Sequence, residues 1–488
     1  MNSRKIKPEH AVSFLFLIVL LLISNYASAN IFNVSNTTQF RKALENVALN
    51  GQDDTIILDA GTYKTIDDGL GAFKFVDKEK HKLTIKAKKG LTRDDVILDG
   101  DNTHQVLNYK STKKATLTII NITIRNGKAS IGGGIYSNGG VAVTNSTISG
   151  NTASGTHDFY GGGIYSKGGV TVTNSTISGN TASGGYYVYG GGIYSKGGVT
   201  VTNSIISGNT ASGSYAVWGG GVYSKGNITL TNSTIFGNNA INGSGGGIYC
   251  YTSRRVTVTS SIITGNTAHD GGGIYCYAIR VIIKNSTITG NTAEGDGGGI
   301  YCESYILNGS YNYGRVTVTN STISGNNATN GGGAGVYCYA SIVTLANSTI
   351  SGNTANIYGG GVYGVGTFIN NIFTDNSSDI SFTGNSSNVY NNYIDYTKLE
   401  DDSYGLIIKK NNIQPNEGSL NFADSDFRLG DGSIAINKGL NPESTQFKKL
   451  IKDKSVLQTV LKALKKDMDG NKRIRGTTID LGPYEYIP

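Results

Sequence analysis

A glycine triplet that recurs through the centre of this chain constrains its fold more than any other feature. Successive triplets start 26 to 34 residues apart. They begin at Gly132, Gly161, Gly190, Gly219, Gly245, Gly271, Gly297, Gly331 and Gly359. Repeats of this length are typical of solenoids, in which each unit is one turn of the chain and is covered by its neighbours.

Each unit contains three short segments of alternating or β-branched residues, separated by Gly-Gly, Asn-Ser and Gly-Asn turns. Such segments are typical of strands, and no helical period runs through the repeats. Three strands per unit predict an all-β fold, a single-stranded parallel β-helix whose coils stack in register. Alternation places Ile164, Val170, Val172 and Ile177 inside. About ten to thirteen coils at roughly 4.8 Å each predict a rod of about 50–60 Å.

The chain divides into five parts. Residues 1–29 contain a basic start, an apolar run and an Ala-Ser-Ala cleavage site. This pattern predicts a signal peptide, and hence a secreted or cell-surface protein. No later apolar run reaches transmembrane length. We expect a cap and first coils over 30–126, Gly-rich coils over 127–376, irregular last coils over 377–440, and a C-terminal helix and tail over 441–488.

Short helices are predicted at both ends of the rod. Phe40, Ala43, Leu44 and Val47 recur at helical spacing, and a helix there would cover the open edge of the first coil. A second helical pattern runs from Phe447 to Leu464 and is expected against the end or flank of the rod.

The net charge of +8 does not indicate a nucleic-acid-binding protein. Positive residues collect over 78–89 and 448–475, where acidic residues are interspersed, and the repeats are almost uncharged.

Stacking in register turns every repeated side chain into a column. Asparagines follow glycine at the same point of successive units, where we expect a left-handed turn and a ladder of amide hydrogen bonds. The Asn-Ser-Thr triplets match a glycosylation acceptor, but their recurrence in nearly every coil favours a role in turn geometry.

The repeat resembles a known family. Gly161-Gly162-Gly163-Ile164-Tyr165 followed by Ile177-Ser178-Gly179-Asn180 resembles the polymorphic outer-membrane-protein repeat, within the pectate-lyase-like right-handed β-helix group. The ending, from Asp424-Ser425-Asp426-Phe427 through Asp467-Met468-Asp469-Gly470 to Leu481-Gly482-Pro483-Tyr484-Glu485, resembles the terminal segment of choice-of-anchor surface proteins. The resemblance implies a pectin-lyase-like, right-handed solenoid. Its members include adhesins and pectin-degrading enzymes, so it implies no single activity.

Carboxylates are sparse in the repeats, and they form no set typical of a lyase or hydrolase. The strongest group is Asp270 and Asp296, which precede glycine triplets in adjacent units, together with Glu294. Three carboxylates could hold Ca²⁺, but Ca²⁺ prefers six to eight oxygen ligands. Solvated turn residues are the alternative, and no catalytic residue is assigned.

The four cysteines follow the Gly-Gly-Gly-Ile-Tyr motif or its variant, where earlier units carry serine. They are Cys250, Cys276, Cys302 and Cys338. Stacked coils place them in one column, at a spacing that a disulfide can bridge. Export favours oxidation, whereas parallel Cβ directions oppose it. A buried thiol column and one or two disulfides are therefore both open.

Aromatic residues are the remaining candidates for ligand binding. A tyrosine of each repeat forms an outward column, and longer loops add a second set. That set comprises Phe159, Tyr160, Tyr186, Tyr187, Tyr189, Tyr215 and Trp218. Exposed rings suit the faces of a polysaccharide, and a ring ladder that holds coils together is the structural alternative.

We therefore predict an exported β-helix that acts as an adhesin-like or glycan-contacting protein without catalysis. Two alternatives stay open: an enzyme that degrades acidic polysaccharide by lyase or hydrolase chemistry, and a purely structural surface rod.

Overall fold

The computed structural model describes residues 30–49, 51–77, 81–111, 115–155, 158–251, 255–277, 280–307, 310–312, 314–382, 387–401, 407–473 and 478–486. The predicted signal peptide therefore lies outside the described residues. What is described is a parallel β-helix.

One coil contains four strands, one more than the sequence predicts. In the coil that begins at Gly161 they are Ile164–Ser166, Val170–Thr173, Thr176–Ser178 and Thr181–Gly184. The fourth strand has no signal in the sequence, because Thr-Ala-Ser is small and polar. The equivalent strands of successive coils form four rows, named A, B, C and D in this order.

Rows A and B belong to one sheet of 26 strands. Row A contains Phe73–Asp77, Leu107–Ser111, Ile135–Ser137, Ile164–Ser166, Ile193–Ser195, Val222–Ser224, Ile248–Cys250, Ile274–Cys276, Ile300–Glu303, Ile380–Phe382 and Leu399–Asp401. Row B contains Ile31–Val34, Asp54–Leu58, Leu83–Ala87, Leu117–Ile120, Val141–Thr144, Val170–Thr173, Val199–Thr202, Ile228–Thr231, Arg255–Thr259, Arg280–Lys284, Arg315–Thr319, Ser387–Tyr390 and Ile407–Lys410. Val336–Ala346 and Val362–Ile369 run through both rows.

Rows C and D form the other two large sheets. Row C contains Gly61–Lys64, Val96–Asp99, Thr123–Arg125, Thr147–Ser149, Thr176–Ser178, Ile205–Ser207, Thr234–Phe236, Ile262–Thr264, Thr287–Thr289, Thr322–Ser324, Thr349–Ser351 and Ile372–Thr374. Row D contains Lys128–Ala129, Thr152–Gly155, Thr181–Gly184, Thr210–Ser212, Asn239–Ser244, Thr267–Asp270, Thr292–Ala293, Asn327–Ala328 and Thr354–Ala355. A separate hairpin pairs Tyr305–Leu307 with Ser310–Asn312.

The coils stack in parallel and in register, as predicted. Ile164 pairs with Ile193, and Ile177 pairs with Ile206. The predicted inward residues, including Val170 and Val172, are at most 1% exposed and form one continuous core. At about 4.8 Å per strand, the 12 strands of row C extend over about 53 Å.

A buried ladder of asparagine amides joins the coils. Asn180 Oδ1 accepts the backbone N–H of Asn151 at 3.1 Å and its Nδ2 at 2.9 Å, and Asn180 Nδ2 donates to Ile148 O. The prediction that these asparagines adopt a left-handed backbone is wrong. The left-handed positions are the preceding glycine, with φ of 60° at Gly179, and the asparagine of Asn-Ser-Thr, with φ of 50° at Asn174.

Each position of a triplet requires glycine for a steric reason of its own. Gly161 has a left-handed φ of 63°. A Cβ on Gly162 would lie 2.4 Å from the carbonyl oxygen of Thr181, and one on Gly163 would lie 2.8 Å from that of Gly192. Successive coils therefore approach too closely for any larger residue at this turn.

Helix α1, Thr37–Val47, caps the first coil as predicted. The side chain of Asn36 accepts the N–H of Gln39 at 2.9 Å and caps the helix N-terminus. Phe40 and Leu44 face the core and are at most 1% exposed.

The C-terminal segment lies along the flank of the rod. It forms helices α2, Thr445–Leu450, and α3, Lys454–Ala463, and short 3-10 turns precede it at Tyr396–Lys398 and Pro415–Glu417. Phe447 and Val460 pack on Ala346 and Ile369. Among the described helices, none is long and apolar enough to cross a bilayer.

Candidate functional site

The longer loops of three coils fold into a ribbon beside the rod. This side ribbon consists of the parallel strands Phe159–Tyr160, Tyr187–Tyr189 and Ala216–Trp218. Phe159, Val188 and Val217 pack on the alanine column of row D and form a second core. The ribbon is therefore held rigidly, and its other face is free to carry function.

Two sets of stacked rings meet at the junction of the ribbon and row A. The first is the tyrosine ladder, whose neighbouring centroids are 4.5–5.4 Å apart. It consists of Tyr136, Tyr165, Tyr194, Tyr223, Tyr249, Tyr275, Tyr301, Tyr337 and Tyr363. The second set stacks Tyr160 on Tyr189 at 4.9 Å and Tyr189 on Trp218 at 4.8 Å. The second set contacts the first edge to face, for example Tyr189 with Tyr223 at 5.0 Å.

Most of the ladder facing the ribbon is shielded from solvent. Its rings point outward from the coil as predicted, but Tyr165, Tyr194, Tyr223 and Tyr249 are at most 6% exposed. The ribbon covers their edges, and neighbouring rings cover their faces. The ladder in these coils therefore stabilises the stack and offers no open ring face to a ligand.

The open aromatic surface is at the outer edge of the ribbon. Tyr186 is 64% exposed, Tyr187 37% and Tyr215 71%. The ring of Tyr187 lies parallel to that of Trp218, with the ring centroids 6.1 Å apart. The ring of Tyr215 contacts the Tyr187 ring edge to face, at a centroid distance of 5.5 Å. We name Tyr186, Tyr187, Tyr215 and Trp218 the aromatic crest.

Small and polar residues surround the crest. Ala216 is in register with Tyr187. Tyr160 OH donates to Asp158 Oδ2 at 3.3 Å, and Asp158 is exposed. Burial raises the pKa of Tyr189 to about 12, so its hydroxyl stays a neutral donor near pH 7. Neither Asp158 nor Ala216 is among the predicted site residues, although the spacing of the two loops aligns Tyr187 with Ala216.

The seven predicted loop aromatics therefore separate into three kinds. Phe159 is 1% exposed within the second core and cannot contact a ligand, which corrects its assignment. Tyr160 and Tyr189 are half-buried between the ladder and the crest. Tyr186, Tyr187 and Tyr215 are exposed, and the half-buried Trp218 lies parallel to Tyr187 beside them.

The predicted carboxylate cluster lies on row D and its turns. Asp270 Oδ1 accepts the N–H of Asp296 at 3.0 Å, and Asp296 Oδ1 accepts that of Gly332 at 2.7 Å. Glu294 is exposed and lines, with His269, a shallow depression of about 270 Å³. Burial raises the pKa of Asp296. In the described part of the chain, no three His, Cys, Asp or Glu residues are grouped to hold a metal, so Ca²⁺ stays a prediction.

The four cysteines form the predicted column. Cys250 pairs with Cys276, Cys276 with Cys302, and Cys302 with Cys338 in the register of row A. All four are buried free thiols. Burial raises the pKa of the Cys276 and Cys338 thiols well above the usual value, with smaller contributions from neighbouring thiols.

Comparison with known proteins assigns the fold. Residues 190–363 match the family described as "Right handed beta helix region". The chain is a right-handed parallel β-helix. The polymorphic outer-membrane-protein repeat and the choice-of-anchor segment stay resemblances. No curated protein matches the chain in sequence.

Solved structures similar to the chain include three proteins whose names describe enzymes that act on polysaccharides. A pectate lyase is 14% identical, with 95% of this chain and 98% of that one covered and a TM-score of 0.36. The A-module of a mannuronan C-5 epimerase from Azotobacter vinelandii is 13% identical, with 80% and 98% covered and a TM-score of 0.29. A mannuronic-acid-specific family 6 polysaccharide lyase from human gut microbiota is 11% identical, with 76% and 91% covered and a TM-score of 0.27. Similarities this low carry no argument about the chemistry of this chain.

Proposed function

We propose that this protein is an exported β-helix that contacts glycans at or beyond the cell surface, in the manner of an adhesin and without catalysis. The aromatic crest is the observation that carries the proposal. Its three tyrosines are exposed, Tyr187 contacts the rings of Tyr215 and of the half-buried Trp218, and the ribbon that carries them has its own core. Sugar rings present flat C–H faces and hydroxyls at their edges, which match ring faces bordered by tyrosine hydroxyls and Asp158.

Rigidity supports a binding role. Tyrosine and tryptophan have only two side-chain torsions, so little conformational entropy is lost when they contact a ligand. The side ribbon also limits backbone motion, because its strands pair with one another and Trp218 is in register with Ser244 of row D. A crest of this kind can bind before any rearrangement.

We infer the absence of catalysis from the hydrogen bonds and positions of the carboxylates in the repeats. Asp270 and Asp296 accept backbone N–H groups of the next turn and so act as turn caps. Glu294 is exposed and lines a shallow depression with His269. A general acid and base would need to converge on one substrate bond.

Trp218 allows a direct test, because it is the single tryptophan of the chain. Tryptophan fluorescence of the protein from residue 30 onward is recorded while a panel of neutral and acidic polysaccharides is titrated. We expect a saturable change with at least one glycan. Replacing Tyr187 or Tyr215 by alanine should weaken the binding of that glycan about two- to twelvefold, the effect of one ring contact that contributes roughly 0.5–1.5 kcal/mol.

The matched control is Tyr339→Ala, since Tyr339 is 56% exposed on another part of the rod. It should leave the affinity unchanged. No fluorescence change with any glycan, or equal losses in control and crest variants, would leave only the structural rod. Release of unsaturated or shortened products during the titration would favour the enzyme instead.

Export is tested separately, by sequencing the N-terminus of the protein recovered from the outside of expressing cells. The proposal expects the mature chain to begin at Asn30. Retention of residues 1–29 on a cytoplasmic protein would contradict it.

A further inference from the structure

Among the described residues, six consecutive coils each place a cation at the corner between rows A and B. These residues, named the basic edge, are Lys167, Lys196, Lys225, Arg255, Arg280 and Arg315. The lysines directly follow row A strands, and the arginines begin row B strands. The edge lies on the other side of row A from the side ribbon.

Backbone pairing fixes the order of the cations along the rod. Lys196 N donates to Ser166 O and Lys225 N to Ser195 O, both at 2.9 Å. Arg255 is in register with Arg280, and Arg280 with Arg315.

The lysine column and the arginine column are adjacent between the coils of Lys225 and Arg255. Arg255 N donates to Asn227 Oδ1 at 3.1 Å, and Asn227 is two positions after Lys225. At roughly 4.8 Å per coil, the six cations extend over about 24 Å. The three lysines and the three arginines thus form two adjoining columns along the rod axis.

Little negative charge balances this line. In these six coils, the segments that connect row A to row B contain no carboxylate, and the last residue of one row A strand, Glu303, accepts a hydrogen bond from Tyr275 OH at 3.1 Å. Helix α3 supplies the other carboxylate, since its N-cap Asp453 forms an ion pair with Arg315. Arg280 also donates to Ser455 Oγ of this helix at 2.9 Å, so the edge from Lys167 to Arg255 is the exposed part that keeps an excess of positive charge.

Like charges directly opposite each other in a sheet are destabilising. In agreement, the pKa of Arg280 is lowered, first by burial and then by the charges of Arg255 and Arg315. A ligand with regularly spaced negative groups would relieve this repulsion in every coil at once.

The surroundings of the edge suit a sugar chain. Tyr251 and Tyr277 stack at 6.4 Å, and Lys225 Nζ lies 5.7 Å from the centre of the Tyr251 ring. Exposed Thr171 and Thr200 project from the adjoining row B strands. Hydroxyls are thus found near the lysines of the first coils, and aromatic rings are found in the coils that follow.

We propose that the basic edge binds a linear anionic glycan that lies along the rod axis, with its sulfate or carboxylate groups against the cations of successive coils. This site is separate from the aromatic crest and does not rest on the function proposed for it. Arginine matches sulfate and carboxylate in a two-pronged geometry, and lysine adds point charges.

The test compares dextran sulfate with uncharged dextran, which has the same backbone, by isothermal titration calorimetry. Polygalacturonate provides the carboxylate arm and separates the two anion types. We expect dextran sulfate or polygalacturonate to bind and dextran not to bind. Replacing Lys167, Lys196 and Lys225 together by glutamine should weaken binding about tenfold, since several surface charges are lost at once.

The matched control replaces three exposed lysines elsewhere, Lys74, Lys89 and Lys128, by glutamine and changes the net charge equally. Its affinity should equal that of the parent protein. Arg255→Gln is a second edge variant, in case the triple variant folds poorly. Binding should also fall when salt rises from roughly 0.01 M to 0.15 M, because the Debye length shortens from about 30 Å to about 8 Å.

Three results would overturn the proposal. One is equal weakening in the edge and control triple variants, which would mean that only net charge matters. Another is the failure of both anionic polymers to bind. The third is binding of duplex DNA as tight as that of the glycans, which would assign the edge to polyanions in general. Tyr187→Ala should leave dextran sulfate binding unchanged, so the crest and the edge fail or succeed independently.

Discussion

Replacing Asn209 by alanine tests whether the buried amide ladder holds the coils together. Asn209 Oδ1 accepts the N–H of Asn180 at 3.0 Å and its Nδ2 at 2.9 Å. Asn209 Nδ2 donates to Ile177 O at 3.0 Å and to Asn238 Oδ1 at 2.9 Å. The residue is 0% exposed, so water cannot replace these partners without opening the stack.

The expected cost follows from counting what is lost. The four hydrogen bonds contribute roughly 0.5–1.5 kcal/mol each, which sums to about 4 kcal/mol. The N–H of Asn180 would also stay buried without a partner, at a further cost of about 1–3 kcal/mol unless the coil relaxes. We therefore expect Asn209→Ala to lower the free energy of unfolding by at least about 4 kcal/mol.

The measurement is urea denaturation followed by circular dichroism, with Thr200→Ala as the control. Thr200 is exposed in the same coil, so its change should stay within about 0.5 kcal/mol. Hydrogen exchange should show faster exchange of the Asn180 amide in the Asn209 variant. A loss below about 1 kcal/mol with unchanged exchange at Asn180 would refute the ladder as a source of stability. Asn238→Ala should repeat the result, because its contacts are equivalent.

Two further predictions concern buried ionisable groups. Burial raises the pKa of Asp379 to about 6. Between about pH 3.8 and 6, the folded state therefore binds more protons than the unfolded state. The contribution of Asp379 to the free energy of unfolding is highest below this range and falls as the pH rises through 6. The difference is about 3 kcal/mol. Asp379→Asn should remove this component from the pH dependence of the melting temperature, and identical pH profiles would contradict it. For the cysteines, an alkylating reagent at pH 7 should leave Cys250, Cys276, Cys302 and Cys338 unlabelled in the folded protein and label all four in denaturant without reductant. Mass spectrometry that finds two or four labels missing after denaturation would indicate disulfides.

The repeat determined by itself which residues share a column. Glycine spacing and strand alternation predict the register of Ile164, Ile177 and the tyrosine ladder, because every coil repeats the same backbone path. The thiol column follows from the same rule.

The direction and conformation of the asparagine ladder did not follow from the sequence. Glycine and asparagine both tolerate a left-handed backbone, and Gly179 adopts it in place of Asn180. The burial of Phe159 was also not predictable, since it depends on the second core that only the folded loops create.

Only the tertiary structure decided which columns reach solvent. Tyr194 and Tyr187 are both outward-facing aromatic residues, yet the side ribbon covers the first and presents the second. Likewise, Lys225 and Arg255 belong to one edge only because two different positions of the coil meet at a corner. Sequence alternation distinguishes the inside from the outside of a coil, because that depends on neighbouring residues. Lateral cover comes from loops and from a C-terminal segment distant in the chain, so it is determined by long-range packing.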